Sequence, residues 1–150
     1  MKVYYNNRIS GYSGKCDNLI YYYDKSCDKC LARRRFEFKN HPAHPVFRQN
    51  QKAIFALNPS AAYRHNLTQY VYLHDAKKEN RDHRLRAWPN AFCRLMYAMQ
   101  KAYGCNLSDL TRDQIISQNL PCISVKSAIE AGLLEEVRGY QSLNMTMFSE

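Results

Sequence analysis

Glycine is scarce in this sequence, with five in 150 residues, and proline is equally so at five. That scarcity leaves little room for a Gly-rich loop that cradles phosphate, and no Ser-His-Asp order or paired-carboxylate motif stands out. The expectation is a protein that is not an enzyme. Long apolar runs are missing too. Nothing approaches the ~20 consecutive apolar residues of a membrane span. Met1-Lys2-Val3-Tyr4-Tyr5-Asn6-Asn7 passes into polar residues without the apolar stretch of a secretory signal. The expected compartment is therefore cytoplasmic, intracellular and reducing. There the six cysteines are expected as ligands or buried thiols rather than disulfides.

Acidic side chains are in the minority, 13 Asp and Glu against 22 Lys and Arg, for a formal charge of +9. Charge of that sign speaks about partners rather than fold, and nucleic acid is the common intracellular polyanion. A basic surface kept for solubility is the plain alternative. With 45% hydrophobic residues the chain has enough apolar mass for a core. Twelve tyrosines are many for the length, and tyrosine either packs with its hydroxyl hydrated or stacks on bases.

The character of the chain changes near Asn58-Pro59, which predicts a β module over residues 1–57 and a helical domain over 58–150. In the first part, 18–24 reads as a strand and 31–38 as its partner, with a Cys-x-x-Cys turn between them. Cys27 and Cys30 are followed by His41 and His44 in the pattern C-x2-C-x10-H-x2-H. Zinc takes four thiolate or imidazole ligands in a tetrahedron, and two intervening residues let one turn present both sulfurs. A structural Zn2+ at these four residues is expected, with Cys16 as the alternate ligand. The histidines lie in His41-Pro42-Ala43-His44-Pro45, whose prolines argue against a helix interior there. The expectation is thus a zinc-stabilised hairpin with a following loop rather than a DNA-reading finger. Free thiols near surface histidines are the plain alternative, and a His-metal nuclease is a further one.

Basic residues cluster around this module: Arg33, Arg34, Arg35, Lys39, Arg48 and Lys52 are the candidate phosphate contacts. His65, His74 and His83 recur every nine residues and so face opposite sides of one helix, which makes them read as incidental. Cys93, Cys105 and Cys122 lack ligand spacing and read as core.

In the second part a helix is expected from Asn58-Pro59, with Tyr63, Leu67, Tyr70, Val71 and His74 on one face. Another starts near Trp88-Pro89-Asn90, carries the stripe Phe92, Leu95, Met96, Met99, Tyr103, and stops at Gly104. Thr111-Arg112-Asp113-Gln114 is a capping box, flanked by Leu110 and Ile115 in staple positions. Leu120-Pro121 makes a turn, Ser124 caps a helix over 125–131, Gly132 closes it, and 133–138 with 142–148 reads as a terminal hairpin. This helix, turn, helix and hairpin order, with Gly132-Leu133-Leu134 leading out of the last helix, resembles the winged-helix superfamily. The resemblance implies a recognition helix at 124–131, with Ser124, Lys126 and Ser127 as its polar contacts, followed by a wing.

The reading is an α+β, mostly α protein: a small zinc-stabilised β-hairpin module followed by a winged-helix-like domain. Its expected function is nucleic-acid binding, DNA before RNA, in transcription regulation of the phage, plasmid or bacterial accessory kind. A protein partner such as RNA polymerase is part of that expectation. A small RNA-binding subunit of a ribonucleoprotein and a protein-binding adaptor or inhibitor stand as alternatives.

Overall fold

A computed structural model describes residues 3–4, 13–25, 28–36 and 41–148. The chain is α+β and divides into two compact units, Met1–His41 and Pro42–Glu150.

The first unit is an antiparallel sheet of β1 (Val3–Tyr4), β2 (Gly14–Cys16), β3 (Leu19–Asp24) and β4 (Lys29–Arg34), in the order β1-β4-β3-β2. The expected hairpin is present as β3 and β4, but its register begins earlier than the pattern suggested. Asp28 takes a left-handed φ of 50°, which closes the loop and lets Lys29 pair with Asp24. The Tyr23 hydroxyl donates to the Asp28 carboxylate across the same loop. The strand consequently ends at Arg34, and Arg35 and Phe36 lie beyond it. The two-residue β1 and three-residue β2 were not foreseen, because strands this short carry no readable alternation.

The second unit contains α1 (His44–Ala56), α2 (Ala61–Asp75), α3 (Trp88–Tyr103), α4 (Arg112–Ser117) and α5 (Val125–Glu130). Helix α1 replaces the loop expected there. Its Pro45 falls in the first turn, where the missing amide forfeits no helical hydrogen bond and the fixed φ suits the helix. Asn50, Ile54 and Leu57 then recur at helical spacing and are buried, and α1 packs on α3. The boundary between the units accordingly falls at His41/Pro42 rather than at 57/58.

Helix α2 is capped by Ser60, whose Oγ accepts from the Tyr63 amide at 3.2 Å, and not by Asn58. Asn58 instead takes a left-handed φ of 46° just past the end of α1. The expected face of α2 (Tyr63, Leu67, Tyr70, Val71, His74) is buried throughout. On α3 the expected stripe is also buried except for Tyr103, which sits in the last turn and stays exposed. Gly104 ends α3 in the left-handed region at φ 67°, which glycine adopts without a Cβ penalty. The capping box at Thr111 forms in full: Thr111 Oγ1 accepts from the Gln114 amide at 3.3 Å, and Gln114 Oε1 accepts from the Thr111 amide at 3.0 Å.

The expected terminal hairpin is not formed. Residues 133–148 hold a 3-10 turn at Tyr140–Ser142 and no strand, only an isolated bridge between Ser124 and Thr146. The chain after α5 returns to the core instead of pairing with itself. Leu143 accepts from the Lys126 amide at 2.9 Å, the Met147 amide donates to Ile123 at 2.7 Å, and Met147 accepts from the Ser60 amide at 2.8 Å. Burial of Leu133, Leu134, Val137, Leu143 and Met147 provides the driving force for that path. A two-stranded wing standing in solvent would expose several of them.

Candidate nucleic-acid interface

The pleat of β4 sends Arg33 and Arg34 to opposite faces of the sheet, as the period of two requires. Arg33 pairs with Ile20 in register. Its guanidinium lies over the Tyr22 ring at 6.0 Å and over the Phe36 ring at 5.7 Å, so an arginine and two aromatics are grouped there. Contacts of this kind hold the guanidinium plane in place while its edge still carries N–H donors suited to phosphate. Arg34 stands opposite Leu19, and the Arg35 amide donates to Asn18 at 2.6 Å. All three arginines are exposed.

The charge of the chain is concentrated here. Residues 1–41 carry nine Lys and Arg against four Asp and Glu, a net +5, while the 109 residues of the helical unit carry the remaining +4. Lys39 lies outside the described residues. Arg48 and Lys52 sit one turn apart on the exposed side of α1, in the helical unit.

The residues proposed as metal ligands are distributed as follows. Cys27 lies outside the described residues. Cys30 is half-buried on β4 opposite Tyr23, His41 is exposed at the end of the sheet unit, and His44 is the exposed first residue of α1. Among the described residues no three His, Cys, Asp or Glu side chains are grouped as a metal site. The alternate ligand Cys16 is removed by register. It pairs with Leu19 on β2, whereas Cys30 pairs with Tyr23. Four residues of strand separate the two positions by about 13 Å along the sheet, and β3 lies between them, too far for one tetrahedral ion.

The α5 candidates are committed elsewhere. Ser124 is buried, and its Oγ accepts from the Ser127 amide at 3.0 Å and meets Ser127 Oγ at 2.7 Å, so both side chains serve the helix cap. Lys126 lies 3.9 Å from Glu130 one turn on. The returning C-terminal segment covers the start of α5, the end that a recognition helix presents to base edges.

Two polar constellations escaped the sequence reading. His74 is buried at the end of α2, with Nδ1 2.9 Å from Asp75 Oδ1 and Nε2 3.3 Å from Glu135 Oε2. Asp75 also accepts from the Leu85 amide at 2.8 Å and the Arg86 amide at 2.9 Å. Lys77 Nζ donates to Glu135 at 3.1 Å, and Asn80 Nδ2 donates to it at 3.3 Å. Burial pushes the Asp75 carboxyl up, but the His74 side chain and the two amides outweigh it and hold the group below its ordinary value. The Lys77 ammonium does the same for Glu135. The second constellation is a concavity of about 390 Å³ lined by Arg64 and Arg112. Neither was legible, because the partners come from segments far apart in sequence.

The remaining thiols in the helical unit are held toward their neutral form by burial. Burial pushes Cys122 up to about 12, and burial likewise raises Cys93 and Cys105. No helix of the described residues is long and apolar enough to cross a membrane. No protein-family model, curated protein or solved structure matches this chain.

Proposed function

We propose that this protein binds nucleic acid through its sheet unit, with Arg33, Arg34 and Arg35 as the principal phosphate contacts. The reading rests on the grouping of Arg33 with the Tyr22 and Phe36 rings in the part of the chain where positive charge is concentrated. DNA binding in a transcription regulator, with a protein partner such as RNA polymerase, is the form of the proposal that the sequence favours. The aromatic and arginine layer gives specific support to a second reading, a single-stranded or RNA ligand whose bases stack on Tyr22 and Phe36. Helix α5 contributes little in either case, since Ser124 and Ser127 serve its cap and Lys126 is the one basic side chain in its sequence.

Affinity is expected to fall steeply with salt, because each neutralised phosphate releases a counterion. Replacing Arg33, Arg34 and Arg35 together by alanine should reduce the log–log salt slope by about 2–3 on duplex DNA, with Lys126→Ala changing it by less than about 1. Titrations against duplex and single-stranded oligonucleotides of equal length check this and separate the two readings. An unchanged slope in the triple variant rules the assignment out.

A structural zinc at Cys27, Cys30, His41 and His44 is proposed from the chemistry of that donor set, two thiols and two imidazoles. Elemental analysis of the full chain should return one zinc per molecule. Purified protein without stoichiometric zinc, and with Cys27 and Cys30 fully alkylated under native conditions, removes the metal from the proposal.

A further inference from the structure

The concavity of about 390 Å³ lies wholly within the helical unit, where the first turn of α2 meets α4 and the C-terminal segment. Asn58, Ser60, Arg64 and Arg112 provide its polar wall, with Met147 and Phe148 on the apolar side. Among the described residues no carboxylate lines it.

Both arginines are fixed in place by neutral partners. Arg112 Nε donates to the Leu57 carbonyl at 2.9 Å and Nη2 to the Asn58 carbonyl at 3.3 Å, while its guanidinium lies 5.2 Å from the Phe148 ring centre. Arg64 Nη2 donates to the Asn58 side-chain oxygen, and its guanidinium lies 5.4 Å from the Trp88 ring centre. Arg64 Nε is enclosed with no acceptor. Asn58 holds both arginines by its main-chain and side-chain oxygens, and it does so from a left-handed backbone at φ 46°.

Two guanidinium groups thus share one cavity, each oriented by the contacts above, with no acidic side chain among the described residues of its lining. A guanidinium carries five N–H donors, and the contacts above use only some of them. Two positive charges lining one concavity raise the local potential, which an anionic ligand relieves. The Ala61 end of α2 adds its partial positive charge to the same wall. The shape and the fork geometry suit a tetrahedral oxyanion with several acceptor oxygens.

We infer that this cavity is a phosphate site: Arg64 and Arg112 take a phosphoryl group, as a free phosphomonoester or as a phosphodiester of a polynucleotide backbone. The site uses no residue of the Arg33–Arg35 cluster, and its test stands or falls independently of the proposal made for that cluster.

The test uses the full-length chain labelled with 15N, titrated with inorganic phosphate at constant ionic strength. Saturable shifts are expected at the Ala61 and Ala62 amides and at the Arg64 and Arg112 side-chain N–H groups, with a Kd of about 1 mM or tighter. Arg112→Gln should weaken binding at least about tenfold, because a charge-assisted pair is lost. Arg112→Lys, which keeps the charge but not the fork, should fall between the two. Arg33→Ala should leave the shifts unchanged. Competition then identifies the source. A short oligonucleotide lacking terminal phosphates displaces inorganic phosphate if the ligand is a backbone diester. Displacement only by 5′-phosphorylated mononucleotide identifies a free monoester. Shifts in the wild-type chain that never saturate, or that persist unaltered in Arg112→Gln, overturn the site, whichever of the variants folds.

Discussion

Replacing Phe92 by alanine is expected to destabilise the helical unit by about 3–5 kcal/mol, the range for losing a buried aromatic and leaving a cavity. Phe92 is fully buried on α3 and stands at the centre of an aromatic group. Phe55 from α1 and Tyr63 from α2 each approach it at 6.2 Å, both edge-on, and Trp88 lies at 6.4 Å one turn earlier. The side chain is thus a contact common to three helices. Its removal costs hydrophobic transfer, the cavity term, and the ring–ring contacts, which are worth roughly 0.5–1.5 kcal/mol each beyond area. The surrounding rings are large and stiff, so the cavity has little means of collapse. Urea denaturation followed by far-UV circular dichroism measures the loss. A change below about 1 kcal/mol is incompatible with Phe92 at this position.

Loss of the Asp75 carboxylate should have the next largest effect. Asp75→Ala removes the acceptor for the Leu85 and Arg86 amides and for His74 Nδ1 in one step. Leu85 is buried, so its amide loses its acceptor at a site with little water. A cost of about 2–4 kcal/mol is expected from lost charge-assisted bonds and an unsatisfied donor. The pH dependence has a definite sign. Folding holds both Asp75 and Glu135 below their ordinary values of 3.8 and 4.5. Their contribution is therefore complete above those values and is lost as pH falls through the lower folded-state values. Stability should be flat toward neutrality and decline on the acid side, with Glu135 contributing less because it is more exposed to solvent. Asp75→Asn should flatten the acid decline. An acid limb identical to that of the parent chain would show that this carboxylate does not anchor the end of α2.

The features that were legible in the sequence are local ones. The Thr111–Gln114 box, the stop at Gly104 and the buried stripes of α2 and α3 each depend on residues within a turn or two of one another. Capping and periodicity act over that range, so the pattern in the chain is already the cause of the structure. Helix α1 was hidden by a local rule applied in the wrong place. Pro42 and Pro45 oppose a helix interior, yet Pro45 occupies the first turn, where proline is compatible. The start of β4 lies two residues earlier than the pattern placed it, because the left-handed Asp28 that closes the loop has no pattern of its own.

Composition and sequence order by themselves determined that this is a basic α+β protein with a β-hairpin ahead of capped, amphipathic helices. They also determined that successive arginines of β4 face opposite ways. Tertiary structure alone decided the path after α5. There, burial of Leu143 and Met147 against α2 and α5 prevailed over a solvent-exposed hairpin of similar local propensity. It also turned His74 from one of three evenly spaced histidines into the buried partner of Asp75 and Glu135, the latter some sixty residues away in sequence. Arg64 and Arg112 meet for the same reason. A charge is paired, stacked or left uncompensated according to which segments the packed core brings beside it, and no spacing along the chain encodes that distance.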